Sequence, residues 1–441
     1  MIRPPNSAKG TLTRSHLTWI IVAALLTRGI LLAVSPPTGG PLQLEPWVIA
    51  ANLNAGHGFV YEQYGAQYRA WKEPLYIVLI AGLTRWLGHA QVIVVLFQSL
   101  FGVATALGTA VIAGRLLADP RAAAFAGLIV AVNPFLVYYD TQFIHPLSMD
   151  SFLFVVSTGA ILLTISRGPT VRDAFISGLV MGGALWQRAA LLACGLAMWT
   201  TAIVRSQDRQ RRIKAALLWM VVALLVISPW VLRNYQLHGR LLLTTDFAHI
   251  VWLGNNPRSN GTYTDMKGQR VFDLADPAFQ AMIRGAPELT QYDTFLRETW
   301  RFITEHPEGY ARLVLTRLLA FFWFSPNAGV QYSSTQNLLY RAAYTLLLGL
   351  GVAGFLLYWR RAGSDGRQQA LVLVAAVLGL ACLHALTTIN LKHRVPWELV
   401  LAVFGGEGLV RCGSIGHRPR RAKNSSNRRA TNASISSVSP G

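Results

Sequence analysis

Lys392 and Arg394 are two cations in a short polar segment, Asn390-Leu391-Lys392-His393-Arg394, set between two apolar runs. Arg233 and Asn234 stand where another apolar run ends, in Ser228-Pro229-Trp230-Val231-Leu232-Arg233-Asn234-Tyr235, and amides follow in Leu253-Gly254-Asn255-Asn256-Pro257. Guanidinium, ammonium and amide donors at an apolar boundary suit the holding of a phosphate whose tail stays in lipid. Carboxylates gather in similar places. Glu45 precedes a short helical stretch that ends at Gly56. Asp150 lies at the mouth of the run that begins at Ser151, in the same loop region as Tyr139 and Asp140. A carboxylate beside a membrane is expensive to desolvate unless it is paired or used, so these acids are catalytic candidates.

Such residues need a membrane-embedded frame, and the composition supplies one. The 441 residues are 52% hydrophobic and 14% charged, with a mean hydropathy of +0.37. Transmembrane helices need about 20 apolar residues each. Candidate spans are 17–35, 90–114, 122–138, 151–166, 174–188, 189–204, 215–232, 337–359, 368–388 and 395–410. The expected fold is therefore an all-α, polytopic integral membrane protein with about ten transmembrane helices. The first run reads as an anchor rather than a cleaved signal peptide, because no small-residue cleavage site follows it.

Charge gives the orientation. Lys and Arg number 40 against 20 Asp and Glu, a formal charge of +20. In a membrane protein that excess marks cytoplasmic loops and not a nucleic-acid partner. Basic clusters fall at alternate connections: Arg3/Lys9/Arg14, Arg115/Arg121, Arg167/Arg172, Arg205 through Lys214, Arg360/Arg361/Arg367, and the tail from Arg411. Both termini are then expected in the cytoplasm, with 36–89, 139–150, 233–336 and 389–394 outside. Residues 75–88 and 308–325 carry Arg85, Trp86, Arg312 and Arg317, and read as external helices lying in the interface. Residues 1–411 form the expected membrane domain, and 412–441 an acid-free, disordered tail drawn to anionic lipid. The external segment 233–307 is long enough to be partly ordered over a site. Cys194, Cys382 and Cys412 lie outside the expected external loops and imply no disulfide framework. No zinc-type spacing and no phosphate-cradling GxxxxGK[ST] occurs. A divalent metal is compatible with this pattern but not indicated by it.

The motifs follow a particular order. After a first span containing Arg28 come Ala50-x-Asn52-Leu53-x-x-Gly56-x-Gly58-Phe59 and Pro74-Leu75-Tyr76. Next is a second external loop bearing an acid, followed by Pro229-Trp230-x-x-Arg233-Asn234-Tyr235 and Gly254-Asn255-Asn256-Pro257. A helix after His306-Pro307 and then Arg394-x-Pro396 complete it. Over residues 15–410 this order resembles the bacterial polyprenyl-phosphate-sugar-dependent glycosyltransferases of the GT-C fold, related to protein O-mannosyltransferases and aminoarabinose transferases. The resemblance implies inverting transfer of a sugar from a polyprenyl-phosphate donor, on the non-cytoplasmic face of a bacterial inner membrane. The acceptor is a hydroxyl of a glycan, lipid or protein, and no cofactor is required. It also implies an acid in the first external loop as general base, and cations holding the lipid phosphate as the sugar leaves. The family's first-loop acid is usually Asp, but residues 36–75 contain only Glu45, Glu62 and Glu73 as acids. Glu45 takes the base role. Asp150 takes that of the second acid, with Asp140 as competitor, and Arg317 stands near the family's frequent lysine after His-Pro. Arg28, Tyr139, Arg233, Asn234, Asn255, Lys392 and Arg394 complete the expected substrate-binding set.

Each residue also has a plainer reading. Arg28 fits a cation snorkelling to headgroups, and Glu45 an acid complementing a helix N-terminus. Asp150 fits a cap for the following helix, Arg233-Asn234 an interfacial anchor, and Asn255 and Asn256 turn formers. Arg188 lies where two short spans meet and reads either as a phosphate ligand or as a helix break. His57 and His145 read as loop residues, and Asn260-Gly261-Thr262 as a chance sequon. A transporter or lipid flippase would also use many spans with intramembrane arginines, but no repeat relates the two halves. A relative that binds polyprenyl phosphate without catalysis is a third reading. An enzyme requires Glu45, Asp150, Arg233 and Arg394 to converge on one external cavity, within about 10–15 Å of one another.

Overall fold

Each of the ten apolar runs coincides with a helix or a bent helix pair in the computed structural model, which describes residues 11–36, 44–88, 91–265, 267–325 and 332–415. The first helices are α1 (Arg14–Val34), α2 (Glu45–Asn54), α3 (Leu75–Leu87), α4 (Gln91–Leu116), α5 (Pro120–Ala131) and α6 (Pro134–Gln142). Then come α7 (Leu147–Ser166), α8 (Val171–Leu185), α9 (Leu191–Val204), α10 (Arg209–His238), α11 (Asp246–Gly254) and α12 (Pro277–Ile283). The last are α13 (Glu288–Glu305), α14 (Pro307–Phe322), α15 (Ser334–Arg361), α16 (Ser364–Leu386) and α17 (Val395–Ile415). Arg3, Lys9 and the expected tail beyond Ile415 lie outside the described residues.

The expected ten spans are not reached by length and apolarity. Among the described residues six helices, α1, α4, α7, α10, α15 and α16, pass on both counts, or seven if α5 and α6 form one span bent by 46°. Asn133 makes that bend, its Oδ1 accepting from Phe135 and Leu136 N–H while Pro134 opens α6. Helices α8 and α9 have only 15 and 14 residues, short of the ~20 needed to cross unaided. Helix α17 carries Glu398, Glu407 and Arg411.

The charge pattern does map onto two ends of the bundle. At one end the Tyr358 hydroxyl donates to Leu116 O at 3.3 Å, Arg361 pairs with Glu407, and Arg211 Nε donates to Pro169 O at 3.0 Å. The basic loops therefore share that end. At the other end Leu75 N donates to Trp186 O at 3.0 Å, and Gln142 Nε2 donates to Ser35 O at 2.9 Å. Small residues let the helices close up between the two ends. A Cβ at Gly354 would meet Phe404 O at 1.8 Å, and one at Gly406 would meet Ala122 O at 2.0 Å. Helices α15, α17 and α5 thus pack backbone to backbone, the usual route to close packing in a bilayer.

A small lobe sits on the end opposite the basic loops. A β-hairpin pairs β1 (Tyr61–Gln63) with β2 (Ala66–Tyr68), Tyr61 opposite Tyr68 and Gln63 opposite Ala66. Its turn places Tyr64 at φ 52° and Gly65 at φ 73°, the double positive φ of a tight hairpin. Tyr64 tolerates this because its ring lies 4.1 Å from Phe272 and its hydroxyl meets His249 Nε2 at 2.9 Å. That ring joins Trp252, Val271, Phe272, Phe279, Ile283 and Phe295 in a second hydrophobic cluster, separate from the bundle core. The ordering expected for 233–307 is thus present, built by α11, α12 and α13 around aromatic side chains.

Candidate active site

Backbone stitching of four distant segments builds the site. The stretch before α3 is gripped by Glu288, whose carboxylate accepts from Arg69 N at 2.8 Å and Ala70 N at 3.1 Å. Ala70 O accepts from Thr245 N at 2.7 Å. This holds Lys72 against the first residue of α11, with Nζ 2.5 Å from Asp246 Oδ2 and 4.0 Å from Glu45 Oε1. The break between α8 and α9 is tied to the same stretch. Tyr76 N donates to Gln187 Oε1 at 3.0 Å, and Ala189 N to Glu73 Oε1 at 3.2 Å. Gln187 then reaches on, its Nε2 donating to Asp150 Oδ1 at 2.8 Å, while Arg188 Nη1 lies 3.6 Å from Asp150 Oδ2. From the 3₁₀ turn Leu391–Arg394, Lys392 Nζ meets His145 Nε2 at 2.9 Å.

These groups form one electrostatic unit. Burial raises the Glu45 carboxyl pKa, but Lys72, its own backbone N–H, Lys392 and the Trp71 indole outweigh that, so the net shift is downward. Trp71 Nε1 is buried with no well-formed hydrogen bond. Burial lowers the Lys72 pKa, but Asp246 and Glu45 reverse the sign and raise it. Glu73 is pushed up by burial and by Asp246, against the pull of Arg188. The Arg188 charge is likewise retained against burial by Asp150 and Glu73. Lys392 differs: burial and then Arg188 lower it to about 8. Tyr263 from the lobe feels Lys72, Arg188, Asp246 and Glu45, so it closes the set from above. Among the described residues no group of three His, Cys, Asp or Glu could hold a metal ion.

Of the residues expected from sequence, the fold brings Glu45, Asp150 and Lys392 into this unit. The others are engaged elsewhere. Arg28 is buried with Asp140, Nη2 to Oδ2 2.6 Å, and Asp140 also accepts from the Ser148 hydroxyl. Arg233 donates to Arg69 O at 2.7 Å and stacks 4.6 Å from the Trp230 ring, so it props the stretch leading to Lys72. Asn234 Nδ2 donates to Leu242 O and Leu243 O, which shapes the approach to Asp246. Arg317 donates to Ala385 O, Gly254 O and Asn255 Oδ1, and Asn255 Nδ2 to Leu386 O at 3.1 Å. Together they fix the end of α16, just ahead of Lys392. Arg394 points the other way, to Trp323 O, Glu398 and the Tyr340 hydroxyl. Tyr139 bonds Tyr332 at 2.7 Å and packs edge-on against His145. Of the four residues expected to converge, Glu45 and Asp150 each stand beside a cation of this unit, while the guanidinium groups of Arg233 and Arg394 are taken up by the main-chain carbonyls of Arg69 and Trp323.

The sequence reading left Lys72, Glu73 and Asp246 out of the site and Arg188 open. Lys72-Glu73-Pro74, adjacent opposite charges ahead of a proline in an external loop, was an available signal, as was the lone Arg188 at a junction of short spans. Asp246 offered none, being an ordinary helix-opening acid until the fold brings Lys72 to it.

Comparison with known proteins gives a consistent picture. The family model described as dolichyl-phosphate-mannose-protein mannosyltransferase matches residues 72–232, which include Lys72, His145, Asp150 and Arg188. No curated protein matches the chain. The archaeal oligosaccharyltransferase AglB from Archaeoglobus fulgidus, solved with an inhibitory peptide and a dolichol-phosphate, is 15% identical with a TM-score of 0.52, over 93% of this chain and 52% of that one. The same enzyme tethered with an acceptor peptide gives 15% and 0.54, over 91% and 50%. ArnT from Cupriavidus metallidurans bound to undecaprenyl phosphate is 16% identical over 91% of this chain and 79% of that one, but its TM-score of 0.44 is too low to carry weight. The chain spans about half the length of the oligosaccharyltransferase. It is a multi-pass membrane protein of the GT-C fold, and its residues 72–232 are similar to the dolichyl-phosphate-mannose-protein mannosyltransferases.

Proposed function

We propose that the chain is a membrane glycosyltransferase that moves a sugar from a polyprenyl-phosphate-linked donor to an acceptor hydroxyl on the non-cytoplasmic face of a bacterial inner membrane. One observation carries this reading. Lys72, Arg188 and Lys392 meet Glu45, Glu73, Asp150 and Asp246 at the bundle end away from the basic loops. By the positive-inside rule the basic end faces the cytoplasm, with both termini there. A transporter's site lies near the bilayer midplane, whereas these carboxylates and cations gather at one end of the bundle, and group transfer at a phosphate uses both.

In the proposed reaction the acceptor oxygen attacks the anomeric carbon from the face opposite the phosphate. The new glycosidic bond forms as the bond from the anomeric carbon to the phosphate oxygen breaks, with inversion. Glu45, ionised and one-third exposed, takes the acceptor proton, and Asp150 orients through Gln187 and Arg188. Charge that grows on the leaving phosphate is met by Lys72, Arg188 and Lys392. In this proposal Arg28, Tyr139, Asp140, Arg233, Asn234, Asn255, Arg317 and Arg394 support the segments that present those groups. The acceptor is a hydroxyl of a glycan, lipid or protein, and no cofactor enters the scheme. The test is transfer of labelled sugar from a polyprenyl-phosphate donor by the purified chain in detergent. Donor binding without transfer to any hydroxyl acceptor would reject the enzyme reading.

A further inference from the structure

Lys392 and His145 meet in a way that fixes where the protons are. Leu147 N–H donates to His145 Nδ1 at 3.0 Å, so that nitrogen carries no hydrogen. A neutral imidazole then holds its only hydrogen on Nε2, the atom 2.9 Å from Lys392 Nζ. A charged imidazolium is excluded, since it would need hydrogen on Nδ1, facing Leu147 N–H. An N–H aimed at an ammonium is two donors facing each other, whereas an N–H aimed at a neutral amine is a hydrogen bond. The lysine must therefore supply the lone pair. Its surroundings agree. Unlike Lys72 and Arg188, Lys392 has no carboxylate within ion-pair distance among the described residues.

We propose that in mildly alkaline solution Lys392 rests as a neutral amine accepting from His145 Nε2–H, and takes up one proton when a phosphomonoester dianion occupies the site. This rests on the proposed donor chemistry and deepens it. A polyprenyl-phosphate sugar is a phosphodiester with one negative charge, and the polyprenyl phosphate left after transfer is a monoester with two. The acceptor hydroxyl releases one proton as its oxygen bonds the sugar. One new negative charge and one proton thus appear together: Glu45 takes the acceptor's proton and returns it to solvent, and Lys392 takes one from solvent beside the new charge. The groups facing Lys392 are Arg188 between α8 and α9, Lys72 before α3, Glu45 on α2, Asp150 on α7, and His145. Burial first, then Arg188 and Lys72 against the opposing pull of Glu45 and Asp150, lower its pKa to about 8. His145 is held well below its ordinary value by burial, Lys392, Arg188 and Lys72, so it stays a neutral donor, and the protonated Lys392 ammonium turns from its Nε2–H to the phosphate oxygens.

Calorimetric titration of the purified full chain with farnesyl phosphate, at pH 8.5 in two buffers of different ionisation enthalpy, tests this. At that pH the monoester is itself a dianion, its second pKa being about 6. The expected result is uptake of roughly half a proton or more per ligand bound, because a group of pKa near 8 is mostly neutral there. Lys392→Arg keeps a cation but cannot titrate, so it should bind with no uptake. His145→Leu removes the donor that favours the neutral amine, and should reduce uptake by about half or more. Binding by the wild type without uptake overturns the pair and leaves the glycosyltransferase reading standing, as does unchanged uptake in Lys392→Arg. No binding of farnesyl phosphate overturns both.

Discussion

Lys72 and Asp246 lie 174 residues apart in the chain and meet at 2.5 Å, joining the stretch before α3 to the first residue of α11. The contact fastens the lobe to the membrane bundle and holds the Lys72 ammonium 4.0 Å from Glu45. With Asp246 at 7% exposure and Lys72 at 26%, the pair is mostly desolvated but open on the lysine side.

Removing the acid alone strands that lysine. Asp246→Asn is expected to destabilise by about 1–3 kcal/mol, below the value for a fully buried pair because Lys72 keeps some water. Lys72→Met with Asp246→Leu should recover most of the stability while abolishing transfer. Thermal melts in detergent and a double-mutant cycle measure the coupling. Full activity in the double variant would remove Lys72 from the phosphate site.

Glu45 carries the base assignment. Glu45→Gln is expected to lower kcat by on the order of 10²- to 10⁴-fold with little change in donor binding. Glu45→Asp, one methylene shorter, should retain part of the rate. Because its carboxyl sits below the ordinary value, the ionised form contributes stability that is present above the unfolded pKa of about 4.3. That contribution is lost as pH falls through the lower folded value. The stability gap between wild type and Glu45→Gln should therefore close on acidification below about pH 4. A gap independent of pH, with unchanged kcat, would dismiss Glu45.

Much of the frame was legible because bilayer physics writes it into single segments. Apolar runs and alternating basic loops are local signals, and they located the helices and the two ends of the bundle. The span count was less legible, since α8 and α9, which meet at Gln187 and Arg188, have only 15 and 14 residues and do not mark a span by length alone. The site was legible only in part. Glu45, Asp150 and Lys392 stand out as lone charges in external loops. Arg233, Arg317 and Arg394 gave the same signal, yet their donors go to the main-chain carbonyls of Arg69, Ala385 and Trp323. Sequence does not distinguish an arginine that holds a loop from one that faces a ligand, because the difference lies in which carbonyl the fold places nearby.

Gln187 links two parts of the site without a charge, accepting from Tyr76 N and donating to Asp150. Gln187→Leu removes both contacts and leaves Tyr76 N–H buried without a partner, which costs about 1–3 kcal/mol. Transfer should fall more than stability does, since Asp150 would then be held by Arg188 alone. Arg188→Lys should raise KM for the donor while Gln187→Leu mainly lowers kcat. The reverse pattern would exchange their roles.

Arg28 and Asp140 provide the sharpest separation of ligand from scaffold. Both side chains are almost wholly buried, at 2% and 1% exposure, and a Cβ on Gly102 would meet Asp140 Oδ2 at 2.1 Å. Helix α4 therefore presses directly on the pair, leaving no room beside it for a headgroup. Asp140 also takes the Ser148 hydroxyl, so it pins the first turn of α7, two residues before Asp150. Arg28→Ala leaves a buried carboxylate unpaired and is expected to cost about 3–5 kcal/mol, whereas Arg28→Met with Asp140→Leu should be nearly neutral. The double variant should keep its donor KM, because neither side chain reaches the phosphate. Thermal midpoints and donor titrations of the two variants decide it: a stable double variant that has lost donor affinity would return Arg28 to the binding site.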